Sequence, residues 1–296
     1  MQFLKSEETL IKVEGYIEKL RSIGIDFALS ASVDGKICEY GRTVVDDDFY
    51  DRLKYFINKY KILPHPMISA NNIKDWITNY KWWKHEFGKE TVYNMTMLEV
   101  RNEDWSYENI EDLITFCDFL VDDTFKDLNE SKEDMLKYIF HIRKEDDLAH
   151  FNDCYNPIRF IYNNFTKNVD KFSCSTQNML SIRAGDLMVA PCHRTHYPLL
   201  EFGQYNIENN KIIDFNPKNV SLLIAHKYFK RSCLPICEQC GLVGICPGFC
   251  MGASYEEYKD ILIPQKEVCD MYRAKYAFLI YKYHTMGLLD DLSILR

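Results

Sequence analysis

Four cysteines fall within fourteen residues, at Cys237, Cys240, Cys246 and Cys250, in a C-x2-C-x5-C-x3-C spacing. Side chains this close together on a loop containing glycine and proline cannot all enter one apolar core. They can all turn their sulfurs toward one inorganic centre. Soft thiolates select zinc, Cu(I) or iron–sulfur clusters. Gly241, Gly244, Gly248 and Pro247 let the backbone curl closely around a bulky ligand. Any fold for this chain must therefore present an irregular, ligand-holding loop between residues 237 and 250.

Composition narrows what surrounds that loop. The 296 residues suffice for one large or two ordinary domains. A 47% hydrophobic and 27% charged make-up is that of a globular protein. The net charge of −8, with no basic stripe, argues against nucleic acid as a partner. The 20 tyrosines and 18 phenylalanines suit a large core or a peptide-binding groove, core being the simpler reading. The N-terminus has neither a basic n-region nor an apolar h-region, so no secretory signal is read there. No apolar run is long enough to cross a bilayer, and Tyr276 to Leu289, broken by Lys282 and His284, reads as a buried helix. Eleven cysteines without such a signal point to thiolate chemistry in a reducing compartment, with no membrane partner and a cytoplasmic location expected.

Along the chain, Leu10, Ile11, Val13, Ile17 and Leu20 predict an amphipathic helix over 8–23. Residues 25–32 read as a short strand ended by Asp34-Gly35. A helix over 46–60 would turn Phe49, Leu53, Phe56 and Ile57 inward. A strand at 65–70 follows, then a helix capped by Asn71 or Asn72 and carrying Trp76, Ile77, Tyr80 and Trp83. Val92 to Val100 reads as a third strand and Glu108 to Leu120 as a third helix. Such alternation implies parallel strands with helical crossovers. Three units are too few for a closed eight-stranded barrel, which needs about 200 residues. Beyond about Glu130 the alternation stops, with a helix read at Met135 to Ile142. Leu180 to Arg183, a turn at Ala184-Gly185-Asp186 and Leu187 to Ala190 predict a β-hairpin delivering Cys192.

The cysteines then form a series: Cys174, Cys192, the four of the loop, and Cys269. This order closely resembles the SPASM domain, the auxiliary-cluster module of many radical S-adenosylmethionine enzymes. The likeness covers roughly 174–270. The family usually has four residues between the hairpin glycine and the second cysteine, whereas six separate Gly185 from Cys192, so the hairpin is longer or its turn residue is another. The resemblance implies two [4Fe–4S] clusters, one held by Cys237, Cys240, Cys246 and Cys269, the other by Cys174, Cys192 and Cys250. The second set is one thiolate short of four. Substrate could complete it, or Cys154 or Cys233 could. Cys38 and Cys117 read as ordinary buried thiols, and His193 as either a donor to a cluster sulfur or a surface residue. Structural zinc is the rival, although zinc ribbons usually pair two Cys-x2-Cys knuckles about 15–20 residues apart.

Residues 27–35 with Arg42 resemble the fourth-strand segment of the radical S-adenosylmethionine barrel. The resemblance implies cofactor contacts from Ser32 (or Ser30), Asp34 and Arg42, and barrel geometry would add Ser69 and Asn71. The expected fold is α/β: a partial (β/α) barrel over 1–130, a linker with a helix over 131–173, a small cysteine-rich α+β SPASM-like domain over 174–270, and a C-terminal helix over 271–296. The C-x3-C-x2-C loop that binds the cofactor-cleaving cluster is not found before residue 173. Cys233, Cys237 and Cys240 have that spacing, but two of them belong to the longer series. The expectation is a chain beginning partway through a longer enzyme that modifies a peptide or protein substrate. The alternative is a non-catalytic iron–sulfur or zinc-binding module that needs a partner subunit for catalysis.

Overall fold

The computed structural model describes residues 2–24, 30–39, 46–95, 97–128, 180–243, 246 and 248–288. The chain divides into two units, Met1–Tyr162 with Ala277–Arg296, and Asn163–Tyr276. The linker expected over 131–173, with its helix and Cys154, lies outside the described residues, as do Arg42 and Cys174.

In the first unit, helix α1 (Glu7–Ser22) starts at Ser6, whose Oγ accepts the Thr9 N–H at 3.3 Å. Leu10 and Ile17 are buried, but Ile11 and Leu20 are exposed, so the apolar face is narrower than expected. Residues seven apart stay on one side of a helix, while the next residue along points about 100° away. Helix α2 (Phe49–Tyr60) buries all four residues read as inward, Phe49, Leu53, Phe56 and Ile57. Helices α3 (Trp76–Asn94) and α4 (Tyr107–Leu128) meet through rings. Trp76 lies 5.6 Å and Tyr80 6.2 Å from Phe116, centroid to centroid. Offset and edge contacts of this kind suit the aromatic quadrupole, so the tyrosine and phenylalanine surplus here is core.

Strands β1 (Ser30–Ala31) and β2 (Leu63–Pro64) pair in parallel, as do β3 (Met67–Ile68) and β4 (Leu98–Glu99). Pro66, between β2 and β3, has no N–H to offer a ladder. The strand expected over Val92 to Val100 is shorter than that range: it is β4, Leu98–Glu99, and the first residues, Val92 to Asn94, are helix. Helix α3 runs past Gly88 (φ 82°, ψ 162°) to Asn94, and Val92 is buried on it. Burial there overrides the β preference of a branched side chain.

The segments leaving the parallel strands are tied by polar groups. The Asp34 carboxylate accepts the Met67 N–H at 2.8 Å, and its carbonyl accepts Asn79 Nδ2 at 2.7 Å and Trp83 Nε1 at 3.3 Å. Glu103 accepts the Ala70 N–H at 2.8 Å, and burial raises its pKa. Gly35 has φ 104°, and a Cβ there would lie 2.3 Å from Trp83 Nε1.

The second unit carries an antiparallel meander of β5 (Ser181–Ile182), β6 (Met188–Ala190), β7 (Gly203–Asn206) and β8 (Lys211–Ile213), hydrogen-bonded in that order. The expected hairpin is its first half, with Ile182 opposite Val189. Helix α5 (Pro217–Tyr228) starts at Asn216, whose side chain accepts the N–H groups of Lys218 and Asn219. Short α6 (Pro235–Glu238) and α7 (Met251–Tyr258) bracket the cysteine loop. Helix α8 (Lys266–Thr285) contributes to this unit as far as Tyr276. Leu200, Met251 and Ile261 form a small core packed by Tyr197, Leu222 and Tyr255. None of the described helices is long and apolar enough to cross a membrane.

Gly35→Ala is expected to destabilise the first unit by about 2–4 kcal/mol, combining a disfavoured backbone with overpacking. Chemical denaturation followed by tryptophan fluorescence measures it, and a change under about 0.5 kcal/mol would contradict the close approach to Trp83.

Candidate metal centre

The loop expected to hold a ligand has little regular structure of its own, so its backbone groups need partners from elsewhere. Arg231 supplies them. Its side chain is buried, and its guanidinium donates to the carbonyls of Cys246 and, at 2.9 Å, Val243. Short-range turns do the rest: Cys240 N–H to Cys237 O at 3.1 Å, and Val243 N–H to Cys240 O at 3.0 Å. Gly248, in the left-handed region at φ 82°, turns its N–H onto the Cys246 sulfur at 3.4 Å.

Held in this way, Cys237, Cys240 and Cys246 line a pocket together with Cys269 of helix α8, Arg231 and Arg273. Apolar side chains, among them Val268, Phe249 and Tyr272, complete the wall. The cavity measures about 40 Å³, roughly three times what a single water requires. Among the described residues, no three His, Cys, Asp or Glu side chains are grouped so as to hold one metal ion. The thiols feel one another. Burial pushes the Cys269 thiol up to about 12, with the charges of Cys246, Cys237 and Cys240 adding and Arg273 opposing. Burial likewise raises Cys237, and Arg231 opposes. Four soft donors, an apolar wall and two cations fit a thiolate-ligated, net-negative group; a hard cation would require oxygen ligands.

The second expected set is described only in part. Cys192 is buried, and its sulfur accepts the Arg194 N–H at 3.4 Å and faces Thr195 Oγ1 at 3.7 Å. That N–H to sulfur turn, two residues ahead, is the one Gly248 makes on Cys246. Cys250 is the N-cap of α7, and Gly252 packs against Arg194 so closely that a Cβ would lie 2.3 Å from its carbonyl oxygen. The segments bearing Cys192 and Cys250 are therefore in contact two residues beyond each cysteine. Arg194 also pairs with Glu256 at 2.5 Å, and Glu256 accepts the Tyr197 hydroxyl at 2.7 Å.

The residue in the left-handed conformation of the hairpin is Leu187, at φ 60°, not Gly185. Four residues, Met188 to Pro191, separate Leu187 from Cys192.

Other cysteines stand apart. Cys38 and Cys117 are buried in the first unit, and Cys233 is exposed and outside the pocket wall. His193 is exposed. Nearby, Ser181 Oγ meets His196 Nε2 at 3.0 Å and His196 Nδ1 meets Glu201 Oε1 at 3.4 Å. Arg183 shares that carboxylate at 3.0 Å.

The residues expected to contact S-adenosylmethionine are dispersed in role. Ser32 and Asn71 are exposed. Asp34 is bonded to Met67, and Ser69 Oγ accepts the Asn72 N–H at 3.2 Å. The inward residue of the asparagine pair is Asn72, whose Oδ1 accepts Ser69 N–H at 2.8 Å and Trp76 Nε1 at 2.7 Å. Arginines 231 and 273 were not legible as site residues, since neither stands at a motif spacing.

Two outcomes are expected. Leu187→Gly leaves stability unchanged or raises it by up to about 1 kcal/mol, because the turn no longer strains a Cβ; a loss above that, by denaturant titration, would contradict the turn assignment. Metal loading at pH 7 releases thiol protons, those of Cys237 and Cys269 among them because burial holds both thiols protonated, so uptake weakens as pH falls. Indicator-dye titration counts those protons.

Compared with known proteins, the chain matches no family model, and no curated protein is similar enough to serve as a relative.

Proposed function

We propose that this chain is the auxiliary-cluster portion of a radical S-adenosylmethionine enzyme of the SPASM type. Cys237, Cys240, Cys246 and Cys269 would hold one [4Fe–4S] cluster, and Cys192 and Cys250, with Cys174, a second. The supporting observation is the shared pocket. Cys269 stands nineteen residues beyond the loop in sequence, yet lines the same wall as its three thiols. Four cysteines that packed separately as small apolar residues would not meet around a cavity with two arginines.

A bound cluster of this kind supplies one-electron transfer or an iron atom for a substrate donor. The chain's own residues bind it through thiolates, keep it dry with Val268, Phe249 and Tyr272, and offset its charge with Arg231 and Arg273. The substrate class, a peptide or protein, follows from the resemblance in the cysteine series. S-adenosylmethionine would bind only in an enzyme that includes the C-x3-C-x2-C element, whether on the same polypeptide or on a partner subunit.

Anaerobic reconstitution of the full chain should yield about eight iron and eight sulfide, and Cys269→Ser about half of each. A colourless protein carrying zinc would end the iron–sulfur reading. Under reduction with S-adenosylmethionine the chain alone should produce no 5′-deoxyadenosine. Production would show that Cys233, Cys237 and Cys240 form the catalytic loop after all.

A further inference from the structure

Helix α8 presents Cys269 and Arg273 four residues apart, on one helical face, to the pocket. Arg231 enters the same pocket from the 3-10 turn Arg231–Cys233. Arg231 is 1% exposed and anchored on the loop carbonyls, so its charge is held in place and poorly screened. Arg273 lines the pocket together with Cys240 and pairs with Asp270 at 3.0 Å. Two positive charges thus stand among four sulfurs that become negative on ligation. A thiolate-ligated [4Fe–4S] centre is net negative, and becomes more so when it gains an electron.

We propose that Arg231 and Arg273 raise the reduction potential of the group bound by Cys237, Cys240, Cys246 and Cys269, through the positive charge they place on its pocket wall. The inference rests on the iron–sulfur reading above. Both arginines are positioning residues. They favour the reduced, more negative form, the electron coming from an external low-potential donor. Net charge and hydrogen bonds to sulfur are the levers that set such potentials. The site is thereby biased toward accepting an electron. Asp270 partly cancels Arg273, so its removal acts in the opposite direction to removal of the arginine.

The test is a dithionite titration of the reconstituted full chain followed by electron paramagnetic resonance. The component lost in Cys269→Ser is the one assigned to this site. Arg273→Gln should retain its iron and weaken the reduced form about tenfold, a fall of 59 mV for a one-electron couple. Asp270→Asn should shift the potential upward, and Arg273→Lys should recover part of the loss. If iron is retained and neither Arg273→Gln nor Asp270→Asn moves the potential, the arginine inference is overturned while the cluster reading stands. Failure of the unsubstituted chain to take up iron overturns both. Should Arg273→Gln shed its iron, Asp270→Asn decides: an upward shift supports the inference, and none overturns it.

Discussion

A buried guanidinium gives the cysteine loop its shape. Arg231 lies 12 and 15 residues before the carbonyls it holds, Val243 and Cys246. A loop without ladder hydrogen bonds would otherwise need water for those groups. With the carbonyls tied, the thiols of Cys237, Cys240 and Cys246 face a common space rather than solvent on different sides. Helix α8 then contributes a fourth thiol and a second cation from a rigid element. The same arginine that organises the loop also lines the pocket beside the thiols.

The first unit solves a different problem. Among the described residues its parallel strands are two residues long, and so few ladder bonds cannot hold them alone. Side chains take over where the strands end. Asp34 bonds to Met67, Asn72 to Ser69 and Trp76, Glu103 to Ala70. These polar groups lie where parallel folds commonly present ligand contacts. In this chain, Asp34 and Asn72 are buried and used internally, while Ser32 and Asn71 remain exposed. Of the residues expected to contact a cofactor, Asp34 braces the fold, whereas Ser32 and Asn71 are at the surface.

Much of the local structure was legible in residue order. Phe49, Leu53, Phe56 and Ile57 predicted a helix and its buried face correctly, because their spacing follows one side of a 3.6-residue repeat. The β5–β6 hairpin was legible from its flanking apolar runs and turn. Its left-handed residue was not, since Gly185 is the better candidate by propensity but pairing between Arg183 and Met188 puts Leu187 there. The strand read over Val92 to Val100 is present as β4, Leu98–Glu99, but starts later than expected: branched residues favour strands only weakly, and Val92 is buried on α3 instead. Ile11 belonged to an apparent apolar face, but on that face Leu10 and Ile17 are buried, Val13 is half-buried, and Ile11 stays exposed.

By itself, the order of residues placed four thiols within fourteen positions on a loop containing glycine and proline, a spacing that argues against burying each of them separately. It determined the helical faces and the alternation in the first unit as well, because both are periodic and local. Only the tertiary structure decided that Cys269 joins three loop cysteines, that Arg231 and Arg273 stand beside them, and that Asp34 is bonded to Met67. Those are contacts between residues far apart along the chain. No period or spacing encodes them; they follow from which apolar faces bury against each other and from which buried polar groups then need a partner.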